Sequence, residues 1–255
     1  MLTRLRLDQL TITDEHSFDG IACYARLKAA LLEDGAEYLV MPEGPLARWD
    51  HTLLLNLTFW QPGQQDDVLE DASVPADVVA HRAWHHVAHR ELGQAGATAA
   101  GLLFGEAIAS AFDVYLIGQL LTLAPDARML ETQVPAMAEV AAQAGLSEGA
   151  VDALLQRIAR APAVAFEQLR ELLFDVGGGL RRAAGATQAA EVLETYEGHP
   201  FAPILHHYEL SNWTLYARAF ASEQESEHVA ELDRQLREAP DALAWLEEHW
   251  LASRV

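Results

Sequence analysis

The sequence predicts a mainly α protein of the α+β kind, with a small strand-containing N-terminal part packed on a multi-helix C-terminal bundle. Three observations predict it. Beyond residue 75, apolar residues recur at threes and fours through one segment after another, the spacing that lines one side of a helix. Short runs rich in β-branched and aromatic residues occur ahead of that point. Hydrophobic residues make up 51% of the 255 and charged residues 22%, which suits a chain that buries a core and does not suit a disordered one. The expected division is a small α+β part over residues 1–74 and a helical domain over 75–255, with one continuous domain as the alternative.

Residues 2–12 alternate apolar with polar side chains through Leu5, Leu7, Leu10 and Ile12, as a strand or extended arm does. Residues 14–32 place Phe18, Ile21, Tyr24, Leu27 and Leu31 on one side of a helix, and Asp34-Gly35 ends it. Tyr38 to Met41 is a short strand stopped by Pro42, and residues 51–60, HTLLLNLTFW, carry the clearest strand signal. A polar loop covers 61–76, and Pro75 within it marks a helix start with Asp77 in its first turn. Helices follow over 78–92, 97–121, 129–144 and 147–160, the last capped by Ser147. An amphipathic helix over 163–174 runs into Gly177-Gly178-Gly179, which reads as a flexible break. A short helix over 186–196 precedes a segment over 203–221 with His206, His207 and Glu209, and acidic helices over 223–237 and 240–250 close the chain.

The formal charge of −21, from 17 Lys and Arg against 38 Asp and Glu, argues against a nucleic-acid or anionic-membrane surface, because both need basic patches. Cys23 is the one cysteine, which removes an internal disulfide and suits a reducing compartment. The first sixteen residues hold no long apolar run of the kind a signal peptide needs, so the expected location is the cytoplasm. Residues 97–121 nearly match a membrane span in length, but Glu106 and Asp113 would lie deep in lipid, and a buried core helix is the expectation.

The chemistry concentrates in residues 78–121. His81, His85, His86 and His89 fall within nine residues of one helix, and His81, His85 and His89 recur every four, so their rings stack along one stripe. Glu106 and Asp113 stand seven apart on the next helix, with Ser110 between them on the same face. A buried carboxylate must meet a cation, a metal or hydrogen-bond donors. The working expectation is therefore a divalent metal between the two helices, zinc first and iron as the alternative. The ordinary alternative has the histidines on a plain amphipathic helix and the two acids paired with Arg82, Arg90 or backbone donors.

Histidines at i and i+4 can bind one zinc ion from a single helix face, the spacing at the core of the HExxH motif. His85-His86-Val87-Ala88-His89, followed after sixteen intervening residues by Glu106, resembles the gluzincin class of zinc metallopeptidases, whose glutamate ligand lies on the next helix. The resemblance implies a metallopeptidase-like hydrolase, with His85, His89 and Glu106 as metal ligands and with His81, Ser110 and Asp113 supporting them. It also implies a peptide or small-molecule substrate. Two positions depart from that pattern. His86 stands where the family has its general-base glutamate, and Ser110 stands where an acid commonly orients a ligand histidine. His86, whose unperturbed pKa lies near neutrality, is then the catalytic candidate, and altered or lost proteolytic chemistry in a pseudoenzyme is part of the same reading.

Two other functions compete. A helical non-haem iron or di-iron oxidase would draw in His206, His207 and Glu209, although Glu225-Ser226-Glu227-His228 supplies one Glu-x-x-His where such a bundle uses two. A non-catalytic interaction protein would use the acidic C-terminal helices to bind a protein partner.

Overall fold

The computed structural model describes residues 2–42, 68–222, 224 and 226–252; the strand expected over 51–60 lies outside them. The protein is mainly helical with a few short N-terminal strands, as the sequence predicts. It divides into two compact units, Met1–Ala83 and Trp84–Val255. The division falls inside a helix, α2 (Ala76–Leu92).

In the first unit the extended arm resolves into β1 (Thr3–Arg6), a 3-10 turn and β2 (Thr11–Thr13). The helix expected over 14–32 is a 3-10 turn followed by α1 (Ala22–Glu33), which buries Cys23, Tyr24, Leu27, Ala30 and Leu31. β1 runs antiparallel to β3 (Glu37–Val40), pairing Thr3 with Val40, and β3 runs parallel to β4 (Val68–Leu69). β5 (Ser73–Pro75) pairs in parallel with β2 and leads straight into α2. The guanidinium of buried Arg82 donates to the carbonyl of Glu37 and lies 3.9 Å from the centre of the Tyr38 ring. That cation–π contact and hydrogen bond fix the first half of α2 on β3. Burial pushes the Cys23 thiol up to about 12, so it stays protonated and unreactive.

The second unit is organised on α3 (Ala99–Leu123), which buries residues all round its circumference, as expected of a core helix. It is long and apolar enough to cross a membrane, yet most of it is buried within the protein. It packs against α4 (Arg128–Gln143), α5 (Glu148–Arg160) and α6 (Pro162–Arg182), and against α8 (Leu210–Phe220) and α9 (Glu227–Glu238). Its start is fixed by Thr98, whose Oγ1 accepts from the Gly101 N–H at 3.0 Å. A Cβ on Gly101 would lie 2.1 Å from the Ala95 carbonyl oxygen, so the turn entering α3 closes only around glycine.

The three glycines at 177–179 do not break the chain: α6 runs unbroken through them. Their role is close packing. A Cβ on Gly177 would stand 3.2 Å from Leu103 of α3, and one on Gly179 2.7 Å from Val192 of α7 (Ala186–Thr195). The end of α6 is capped from a distance, because Arg218 on α8 donates to the carbonyls of Leu180, Arg181 and Ala183. The segment over 203–221 is a 3-10 turn at Ala202–Tyr208 and then α8, separated by Glu209 at a left-handed φ of 47°.

Arg170 on α6 is fully buried, and its guanidinium meets Glu167 at 2.5 Å and Asp233 of α9 at 2.8 Å. Arg237 of α9 reaches back to Asp175 at 2.8 Å, and Arg234 pairs with Glu231 and Glu238 along α9 itself. Much of this helix's acidity is thus matched by its own and its neighbour's charges. α10 (Ala242–Trp250) closes the unit. Replacing Arg170 with Ala strands two partly buried carboxylates and should lower the unfolding free energy by about 3 kcal/mol in a urea titration. A loss below about 1 kcal/mol, the range of an exposed pair, would show that the triad does not hold α9 to α6.

Candidate metal centre

Glu106 is eight residues into α3, on a turn whose neighbours are Gly105, Ala107 and Ile108, and only 4% of its surface is exposed. An ionised carboxylate there has no solvent to satisfy it, so its partners decide the local structure. One oxygen, Oε1, accepts from the hydroxyl of Ser110 at 3.3 Å, one helical turn further on. The other, Oε2, lies 3.0 Å from Nε2 of His85 on α2. Yet Oε2 is buried with no hydrogen-bond donor directed at it among the described residues. The two atoms are close without the alignment of a hydrogen bond.

The pairing of His85 with Glu106 follows from the way α2 and α3 meet. The chain turns through a 3-10 segment, Gly93–Ala97, so that positions counted backward from the turn on α2 face positions counted forward on α3. A Cβ on Gly105 would stand 3.5 Å from the Ala88 Cβ, and the Trp84 and Phe112 rings meet edge to face at 5.4 Å. His81 lies one turn before His85 on the same continuous helix. His81, His85 and Glu106 each offer an atom within 4.8 Å of the others, so this His-His-Glu set can hold a metal ion. Both imidazoles are half-buried, whereas the carboxylate is fully enclosed.

The other sequence-derived site residues are placed as follows. His89 is exposed beside the turn, where a Cβ on Gly96 would lie 3.5 Å from its Nδ1, and it is not part of the cluster. His81, expected in support, is brought into the set. His86 is half-buried and, one residue on, projects about 100° around the helix from His85. Asp113 is two turns, about 10 Å, along α3 from Glu106. Its charge acts on His207 and Tyr208 of the 3-10 turn. Arg82 and Arg90, the expected alternative partners of the acids, are engaged elsewhere: Arg82 on β3, and Arg90 with Glu91 and the Trp250 carbonyl. His206 and Glu209 are exposed and lie outside the cluster.

The sequence contained the signal for His81, since the four-residue spacing holds for 81 and 85 as well as for 85 and 89. What selects the first pair is distance from the turn: residues beside it sit at the end of the helix pair, where water reaches them. This arrangement does not show a gluzincin scaffold. No protein-family model, curated protein or solved structure matches the chain.

Away from the cluster, burial holds the His207 imidazole below its usual range, opposed by the nearby charges of Asp113 and Glu209. A folded-state pKa below the unfolded one means that the unfolded chain takes the proton more readily. The stability this group allows is therefore present above about 6.5, the unfolded value, and is lost as pH falls through the folded one. His207→Phe keeps the ring that stands edge-on to Tyr208 and removes the proton site. It should lose less stability than the parent between pH 7 and pH 5 in urea titrations; equal losses would contradict the assignment.

Proposed function

We propose that the protein binds one divalent transition-metal ion through His81, His85 and Glu106, and that it is a metal-dependent hydrolase or a descendant of one. The observation that carries this reading is the buried Glu106 Oε2, 3.0 Å from an imidazole nitrogen and yet outside hydrogen-bond alignment with it. Neighbouring metal ligands adopt that relation, because their lone pairs converge on a third point and not on each other. With bonds of about 2.1 Å, tetrahedral ligand atoms stand roughly 3.4 Å apart. The three ligand atoms lie within 4.8 Å of one another.

Two imidazoles and one carboxylate form a donor set used by catalytic zinc, which keeps its fourth position for water, and also by non-haem iron(II). Zinc is the first assignment and iron the second. The metal would supply an acidified water as nucleophile. The protein would supply the remaining parts: Glu106 as a charged ligand fixed in the core, Ser110 against that carboxylate, and partly exposed imidazoles through which a substrate gains access. Neither candidate motif provides the general-base glutamate of the gluzincins. The residue after His81 is Arg82, held on β3, and the residue after His85 is His86. His86 is the proton acceptor this reading assigns, so peptidase turnover well below that of a glutamate enzyme is expected. The lone, unreactive Cys23 agrees with a cytoplasmic home.

Protein supplied with zinc and then dialysed should retain one equivalent by elemental analysis. His85→Ala and Glu106→Gln should lose it, and His89→Ala should keep it. Absence of stoichiometric metal in the parent protein would reduce the His85–Glu106 contact to an ion pair and end this reading. Retention by Glu106→Gln with loss in His89→Ala would move the site to another ligand set. Iron content with an absorption change on exposure to oxygen would favour oxidative over hydrolytic chemistry.

A further inference from the structure

Resting on the metal site proposed above, we infer that Ser110 is a positioning residue that makes Glu106 a one-oxygen ligand and so sets the coordination number of the metal. A carboxylate beside a divalent ion can bind through one oxygen or through both, and the second mode adds one bond to the metal. At Glu106 the two oxygens have different surroundings. Oε2 faces Nε2 of His85, whereas Oε1 is turned along α3 to the Ser110 hydroxyl. Ser110 is 4% exposed and Glu106 equally so, and no solvent competes for Oε1.

The hydroxyl–carboxylate distance of 3.3 Å is long for an O–H···O pair, which usually spans about 2.7–2.8 Å. A weak hold is enough, because its effect is to choose between oxygens and not to bind the carboxylate tightly. Four residues is one helical turn, so the hydroxyl reaches the carboxylate from the same face. The position is also sensitive to the loss of that donor. Ala109 and Ala111 flank it and the surrounding core is apolar, so without the hydroxyl the partner left for Oε1 is the metal itself. Glu106 would then close on the ion with both oxygens and raise its coordination number by one. Ser110 thereby keeps an open position for substrate.

The test uses the full-length protein loaded with cobalt(II), whose visible absorption weakens as coordination number rises, together with zinc affinity by competition with a chromophoric chelator. Ser110→Thr and Ser110→Val have the same shape and differ in the hydroxyl alone, so the pair isolates the hydrogen bond from packing. Ser110→Val, with Ser110→Ala beside it in case the added methyl prevents folding, should weaken zinc binding about 10- to 100-fold and dim the cobalt bands. Ser110→Thr should restore both. Val and Thr proteins with the same affinity and spectrum, or an Ala protein indistinguishable from the parent, would overturn the inference while leaving the metal site standing. Failure of the parent protein to bind cobalt or zinc would instead overturn the site itself, and this inference with it.

Discussion

A carboxylate in the middle of an apolar helix constrains everything near it. Glu106 cannot be turned to water, since α3 is surrounded by other helices along its length, and an isolated buried charge costs far more than a marginally stable fold can absorb. The chain answers from two directions: Ser110 one turn on, and His85 from α2. The second answer sets the pairing of α2 with α3. The turn at Gly93–Ala97, the cap at Thr98 and the small residues Ala88 and Gly105 are the local means by which the two helices come close enough for an imidazole and a carboxylate to meet.

The same economy of small residues appears elsewhere around α3. A Cβ on Gly118 would lie 2.8 Å from the Ile158 carbonyl oxygen, and Gly177 takes the space beside Leu103, so α5 and α6 both press onto α3 at points where a side chain would hold them off. Charge enters this core at Arg170, which carries its own two carboxylates with it. Buried Arg170 and buried Glu106 obey one rule, that a charge inside the protein comes with compensation. They differ in that the Arg170 triad is closed, whereas one oxygen of Glu106 accepts no hydrogen bond among the described residues. That asymmetry is why the second is read as a site and the first as structure.

Most of the helices were legible because period, caps and breakers agreed. Pro75 started α2, Ser147 capped α5 with its side chain 3.3 Å from the Ala150 N–H, and the continuous apolar run of α3 announced a core helix. Three features were not legible from local pattern. The glycines at 177–179 look like a hinge until Leu103 and Val192 are placed against them. The segment after Ala202 has helical periodicity but winds as a 3-10 turn up to Glu209. The histidine stripe offers 81 with 85 and 85 with 89 on equal terms, and local spacing cannot say which end of the stripe lies by the turn. The pairing of acid with imidazole across two helices was within reach of sequence reasoning because a buried carboxylate leaves few options.

The most direct measurement is anomalous diffraction from crystals grown with zinc, collected on both sides of the metal edge. The account predicts one strong peak about 2.0–2.2 Å from a ring nitrogen of His81, Nε2 of His85 and Oε2 of Glu106, with Oε1 still turned to Ser110. A peak at His89 or on the surface, or no peak with His85 and Glu106 joined in a linear hydrogen bond, would contradict it.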